Sequence, residues 1–249
     1  MLHQDQSMRR ESRPYKRLGF TLIELLVVVS LIAMLIAILL PAIGSARDSS
    51  RVLQCTSNTR QIAVAWTMYL QEHDETFPEH QKNMQWFYGG REPALGIPAF
   101  QADYRPLNPY VGLAEKDSAG LESFHCTADR DIRNGNTGGV GPTQGHSTYA
   151  YFGNSYMMNT SLLWRRDENG EIQRVRLSDV RLPPSQVAAS GDVQWYYAVL
   201  NTHWDAHFHN SHDQVNLSFL DGHASYVQIE RGNAHTAGYS FLRERPETQ

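Results

Sequence analysis

From Phe20 to Leu40 every position is apolar except Thr21, Glu24 and Ser30. At about 1.5 Å of rise per residue, a helix of that length reaches about 30 Å, the hydrocarbon thickness of a bilayer. Glu24 breaks the pattern. A charge inside such a run costs about 2.5–3.5 kcal/mol on insertion scales, so a carboxylate kept there points to function. Pro41 follows, where proline is expected to kink or interrupt a helix. Beyond it the period changes: Ile43, Ala46, Leu53, Ile62, Ala65, Trp66 and Tyr69 recur at spacings near three, four and seven. Arg47, Asp48, Arg51, Arg60 and Gln61 lie between them. This predicts an amphipathic helix from about Ala42 to Glu72, whose apolar face covers part of the remaining chain.

Phe77 to Gly145 is rich in Gly, Pro, Asn and Asp, and Arg133–Pro142 reads as loop. The aromatic knot Trp86-Phe87-Tyr88-Gly89-Gly90 reads as core against the helix rather than as a ligand platform. Strand signals cover Thr148–Tyr156, Ser161–Arg166 and Glu171–Arg176 on either side of Asn169-Gly170, then Val187–Ser190 and Gln194–Leu200 after Pro183-Pro184. The clearest hairpin joins Val215–Leu220 to His223–Ile229 through Asp221-Gly222, a strong short-range hairpin signal. Residues past Arg231 read as a polar tail. The expected class is α+β, a lollipop with a long N-terminal helix packed on a C-terminal antiparallel sheet with long loops. Its expected segments are a leader at 1–19, a membrane-spanning helix at 20–40, a stem helix at 41–72, a globular body at 73–231 and a tail at 232–249.

Charge adds an orientation. Residues 1–19 hold five Lys/Arg against two acidic residues, whereas the rest of the chain holds 17 against 24. A basic flank before an apolar span places the leader in the cytoplasm and the acidic body outside. No basic stripe survives past the leader, so a nucleic-acid partner is not expected. Cys55 and Cys126 are the only cysteines. An even pair in an oxidising compartment permits a disulfide, and two unpaired thiols are the other reading.

The string Gly19-Phe20-Thr21-Leu22-Ile23-Glu24 resembles the processing site of type IV prepilins and type II secretion pseudopilins. An ordinary secretory signal has a shorter core of about 7–15 residues, and Pro41-Ala42-Ile43-Gly44-Ser45-Ala46 offers it a small-residue site. A plain signal anchor is the third reading. Neither explains the string at the cytoplasmic edge of the span. The resemblance implies cleavage between Gly19 and Phe20 by a prepilin peptidase/methyltransferase, N-methylation of Phe20, and Glu24 as the fifth mature residue. It further implies that Glu24 pairs with the terminal amine of a neighbouring pilin-like subunit, with Thr21 in the packing surface. The implied place is the inner membrane, crossed once with the body periplasmic, and after assembly an extracytoplasmic filament.

Further strings resemble a subgroup of prepilin-like proteins abundant in planctomycete-type bacteria. They are Cys55-Thr-Ser-Asn58-Thr-Arg-Gln61-Ile62, Phe77-Pro78, Phe124–Asp129, Ser147–Tyr151 and Asn216–His223. That subgroup carries a His nine residues before a C-terminal Asp-Gly. Here eight residues separate His212 from Asp221 and eleven separate His209, so both remain candidates.

Five of the eleven His fall between 203 and 223, with Asp192, Asp205, Asp213 and Asp221 near them. One reading makes them turn-capping side chains. The other gathers Asp192, His209, His212, Asp221 and His223 around a structural zinc or calcium ion. There is no Gly-x-Ser-x-Gly elbow, no phosphate-binding loop after a strand and no His-Glu-x-x-His helix, so an enzyme is not expected. The leading functional reading is a structural subunit of a type II secretion pseudopilus or type IV pilus-like filament. The alternative is a membrane-anchored periplasmic metal-binding or enzymatic domain exported with a prepilin-type N-terminus. A third reading is a minor pilin that binds a surface, sugar or secreted substrate through the Gly-rich 130–146 loop.

Overall fold

The computed structural model of the chain describes residues 20–79, 84–91, 105–112, 122–130, 146–201, 208–211 and 213–245. The leader and the 131–145 part of the Gly-rich loop lie outside the described residues. One helix, α1, runs Leu22–Glu72 with Pro41 inside it. A proline there removes one i→i−4 bond, which a helix of this length absorbs. Contacts divide the chain into two compact units, Met1–Ser45 and Ala46–Gln249, and α1 contributes to both.

The described part of the first unit is α1 with its side chains exposed throughout. It is long and apolar enough to cross a membrane. Ser30, a polar residue in the run, bonds its hydroxyl to the Leu26 carbonyl at 2.7 Å and so presents no unpaired donor to an apolar medium.

In the second unit the last turns of α1 bury Cys55, Asn58, Thr59, Ile62, Ala63, Ala65, Trp66, Tyr69 and Leu70. Ile62, Ala65, Trp66 and Tyr69 belong to the predicted face, but Ile43 and Leu53 are exposed, Leu53 at 70%. The buried strip is continued upstream by polar side chains instead. Asn58 Nδ2 donates to the Glu122 and His125 carbonyls at 3.2 and 2.9 Å, and Thr59 Oγ1 donates to the Cys55 carbonyl at 3.1 Å. Hydrogen bonding offsets the cost of burying them.

A short helix α2, Met84–Phe87, opens the aromatic knot, which is core as predicted. Tyr88 stacks on Trp66 of α1 at 5.5 Å, and Trp86 on Phe152 at 4.1 Å. Next comes α3, Thr148–Phe152, then β1, Tyr156–Met158. The stretch Thr148–Tyr156, read as strand, is therefore mostly helix. Ser147 caps it, its hydroxyl accepting from Ala150 N, and this local bond outweighs the β-propensity of Tyr149, Tyr151 and Phe152.

β2 (Arg165–Arg166) and β3 (Ile172–Gln173) form the small ribbon around Asn169-Gly170, shorter than its strand signals. β4 is Ala188–Asp192, followed by α4, Gln194–Val199. The segment Gln194–Leu200 was expected as strand and is helix. Tertiary packing decides it, with Trp195 stacked on Phe241 at 4.0 Å. β5 (Gln214–Phe219) and β6 (Ala224–Gln228) form the predicted hairpin. Gly222 supplies the positive φ of +91° that its turn requires.

The main sheet is antiparallel in the order β1-β4-β5-β6. β4 is built of small residues because it lies tight on β5. A Cβ on Gly191 would stand 2.4 Å from Leu217 Cδ2 and 2.5 Å from the Asn216 carbonyl oxygen. The long helix and the antiparallel sheet confirm the α+β class. The expected polar tail from 232 is a correction. Tyr239, Ser240 and Phe241 are buried, Ala188 N donates to the Ser240 carbonyl at 2.9 Å, and Ser240 N donates to Gln186 O at 2.6 Å. Two aromatic side chains among polar neighbours were enough to recruit the segment to the core.

Candidate functional site

At the start of α1, Thr21 and Glu24 cap each other. Thr21 N and Oγ1 both donate to Glu24 Oε2, at 2.9 and 2.8 Å, and Glu24 N donates to Thr21 Oγ1 at 3.2 Å. This is a reciprocal capping box, with Thr at the N-cap and Glu three residues on. It satisfies two of the four backbone donors that any helix start leaves open. Phe20, just outside it, is 71% exposed. Gly19 lies outside the described residues.

The second concentration of chemistry is buried in the second unit. Strand register lines up four polar side chains in one row across the sheet. Tyr156 pairs with Asp192, Asp192 Oδ2 accepts from the backbone and side-chain nitrogens of Asn216 at 2.8 and 2.9 Å, and Asn216 pairs with Tyr226. From α1, Thr56 Oγ1 donates to Asn216 Oδ1 at 2.5 Å. Cys55 Sγ meets Cys126 Sγ at 2.6 Å, both side chains fully buried. Cys126 leaves a short turn whose backbone is tied down by its own N–H donating to Ser155 Oγ at 3.0 Å.

His209 completes the group. It holds a positive φ of 56°, unusual for a non-glycine residue, and its side chain is inaccessible to solvent. Nε2 stands 3.4 Å from Cys126 Sγ, 3.1 Å from Asn216 Nδ2 and 3.7 Å from Asp192 Oδ2. Among the described residues, Asp192 Oδ1 and His209 Nδ1 have no hydrogen-bond partner.

The electrostatics follow from this geometry. Burial pushes the Asp192 carboxyl up to about 6, although His209 draws it back. Burial also opposes the His209 cation, but the hydrogen bond to Cys55 and the charges of Asp192 and Cys55 outweigh it and raise its pKa. Burial drives the Cys126 thiol up, while the hydrogen bond with Cys126 draws Cys55 down. In the reduced pair the shared hydrogen bond thus favours charge on Cys55 over Cys126.

The structure divides the residues that sequence gathered around a metal. Asp192 and His209 meet in the buried cluster. Asp221 and His223 sit instead at the hairpin tip, both partly exposed, where Asp221 Oδ1 and His223 Nδ1 bond at 2.5 Å and the His223 ring stacks on Phe219. His212 lies outside the described residues, as do His203, Asp205 and His207. Asp213 is taken by Arg231 at 2.8 Å. The metal-ligating side chains that converge among the described residues are Cys55, Cys126 and His209, their ligand atoms within 4.8 Å of one another.

Sequence reasoning did not connect the cysteines to His209. They lie 83 positions from Cys126 to His209, and only the fold of β4, β5 and the 208–210 turn brings them together. The Phe124–Asp129 string has a structural explanation. Asp129 accepts from Thr148 N, Tyr149 N and Ser155 Oγ at 3.0, 2.7 and 2.7 Å, which ties the turn bearing Cys126 to the first turn of α3. Burial pushes its carboxyl up to about 7 against these three bonds.

Comparison with known proteins bears on the N-terminus. Residues 15–40 match the prokaryotic N-terminal methylation motif. The chain carries a prepilin-type cleavage and methylation domain. The match covers Lys16 and Arg17 at the end of the basic flank, Gly19-Phe20 and the apolar run, and fits a type IV pilin or pseudopilin precursor anchored in a membrane by α1. No curated protein and no solved structure matches the chain.

Proposed function

We propose that the protein is a structural subunit of a type IV pilus-like filament or a type II secretion pseudopilus. The observation that carries this reading is the methylation motif at 15–40 opening directly into an exposed apolar helix that spans bilayer thickness. A prepilin peptidase cuts between Gly19 and Phe20 at the cytoplasmic face and methylates the new amine. The body, on the far side of an apolar span with a basic flank, lies in the periplasm. Lateral packing of the apolar helices then forms the filament.

The cap geometry supports a specific part for Glu24. After cleavage the new amine would lie one residue before the Thr21 cap, and each helix presents a carboxylate at the same depth. In an apolar surround an ammonium and a carboxylate each require a partner, and the neighbouring chain supplies it. Gly19→Arg tests the processing step. The expected result is a full-length, membrane-held precursor by mass spectrometry of the membrane fraction. Mature chain beginning at Phe20 in that variant would refute the reading.

A further inference from the structure

We propose that Cys55 and Cys126 close into a disulfide once the body has left the cytoplasm, and that this bridge pins the leading end of the stem to the body. The proposal rests on the export reading above. Cys55 is the first buried residue of α1, since every residue before it along the helix is exposed or partly so. A pull transmitted along α1 during assembly loads the helix–body interface at that end first. Noncovalent contacts there would open one after another, each at small cost, whereas a covalent link must be carried whole.

The site favours a bridge over an ion. The sulfurs touch at 2.6 Å, whereas two thiolates on a tetrahedral zinc, with Zn–S near 2.3 Å, stand about 3.7 Å apart. The disulfide puts no charge into the sealed cluster and leaves His209 facing Asp192 at 3.7 Å. The bridge closes a loop between positions 71 apart, and with two cysteines in the chain it is the one disulfide that can form within it.

The reaction balances against a thiol–disulfide oxidoreductase acting before the site is sealed. One thiolate of the chain attacks the oxidant's disulfide, giving a mixed disulfide and freeing one oxidant thiol. The second thiolate then attacks the chain sulfur of that mixed disulfide, forming the Cys55–Cys126 bond and releasing the other oxidant thiol. Two electrons and two protons pass to the oxidant, which leaves as a dithiol.

The test is peptide mapping of the full chain from membranes, acid-quenched and alkylated without reductant, beside a protease-accessibility assay on spheroplasts. The expected result is a linked Cys55/Cys126 peptide pair that resists alkylation. Alkylation of both cysteines in a body that added protease reaches would overturn the bridge and leave export standing. Alkylation of both in a protected body would overturn export, and the bridge with it. Stoichiometric zinc on alkylatable cysteines would also overturn it. The pinning role is read by hydrogen exchange on the detergent-solubilised chain, comparing wild type with Cys126→Ser and with wild type after phosphine reduction. Amides of 55–72 should exchange at least tenfold faster once the bridge is lost, with the 214–228 hairpin unchanged. Equal rates in the reduced wild type would overturn the pin.

Discussion

Glu24 is the residue on which local physics and assembly compete. In the isolated chain its carboxylate is held by Thr21, so the charge is partnered before any neighbour arrives. Removing the cap costs about 0.5–2 kcal/mol of helix stability, too little to unseat a helix of this length. Glu24→Gln separates the two roles, because an amide preserves the capping pattern but not the charge. The expected outcome is normal cleavage after Gly19 with cross-linked multimers reduced about as far as in Glu24→Ala. Wild-type multimer levels in the Gln variant would leave the cap as the only purpose of this side chain. The sequence exposed Glu24 at once, as a carboxylate among apolar residues. It did not expose Asp192 or His209 in the same way, because a polar residue in a loop or at a strand end has many solvated explanations.

At the scale of elements, α1 and the β5–β6 hairpin were legible because their signals are local. One rests on hydrophobic length and period, the other on an Asp-Gly turn between alternating strands. α3 and α4 were not, since Tyr149, Tyr151, Trp195, Tyr196 and Tyr197 carry strand-like propensity that packing overrides. The join of α1 to the body turns on Trp66, buried and in ring contact with Tyr69, Phe77 and Tyr88. Trp66→Ala should cost about 3–5 kcal/mol in unfolding free energy. A denaturant titration of the detergent-solubilised chain giving less than about 1 kcal/mol would show that the stem is not held by this aromatic cluster. Against that figure, a bridge closing a loop of this size contributes about 4 kcal/mol on a chain-entropy estimate. The aromatic cluster and the bridge are thus comparable fastenings on one helix.

For the molecule as a whole, the C-terminal segment matters more than its polar composition indicates. Phe241 lies against Trp195 and the Ser240 backbone runs beside Val187, so the last described residues close one end of the sheet. A chain ending at Arg231 should lose at least the roughly 1.5–3 kcal/mol of burying one Phe, lowering the thermal midpoint by about 2–4 °C for each kcal/mol. An unchanged midpoint would restore the reading of a tail. The sequence by itself determined the N-terminal machinery: the basic flank, the Gly-Phe-Thr-Leu-Ile-Glu string, a helix able to cross a bilayer, and the α+β class. Those are properties of contiguous residues, and contiguous residues can be read in one pass. Only the tertiary structure decided what the body contains. Strand register placed Tyr156, Asp192, Asn216 and Tyr226 in a row, and α1 and two loops set Cys55, Cys126 and His209 above it. Pairing at separations of 71 and 83 positions is chosen by the free energy of the whole packed body, which no local pattern encodes.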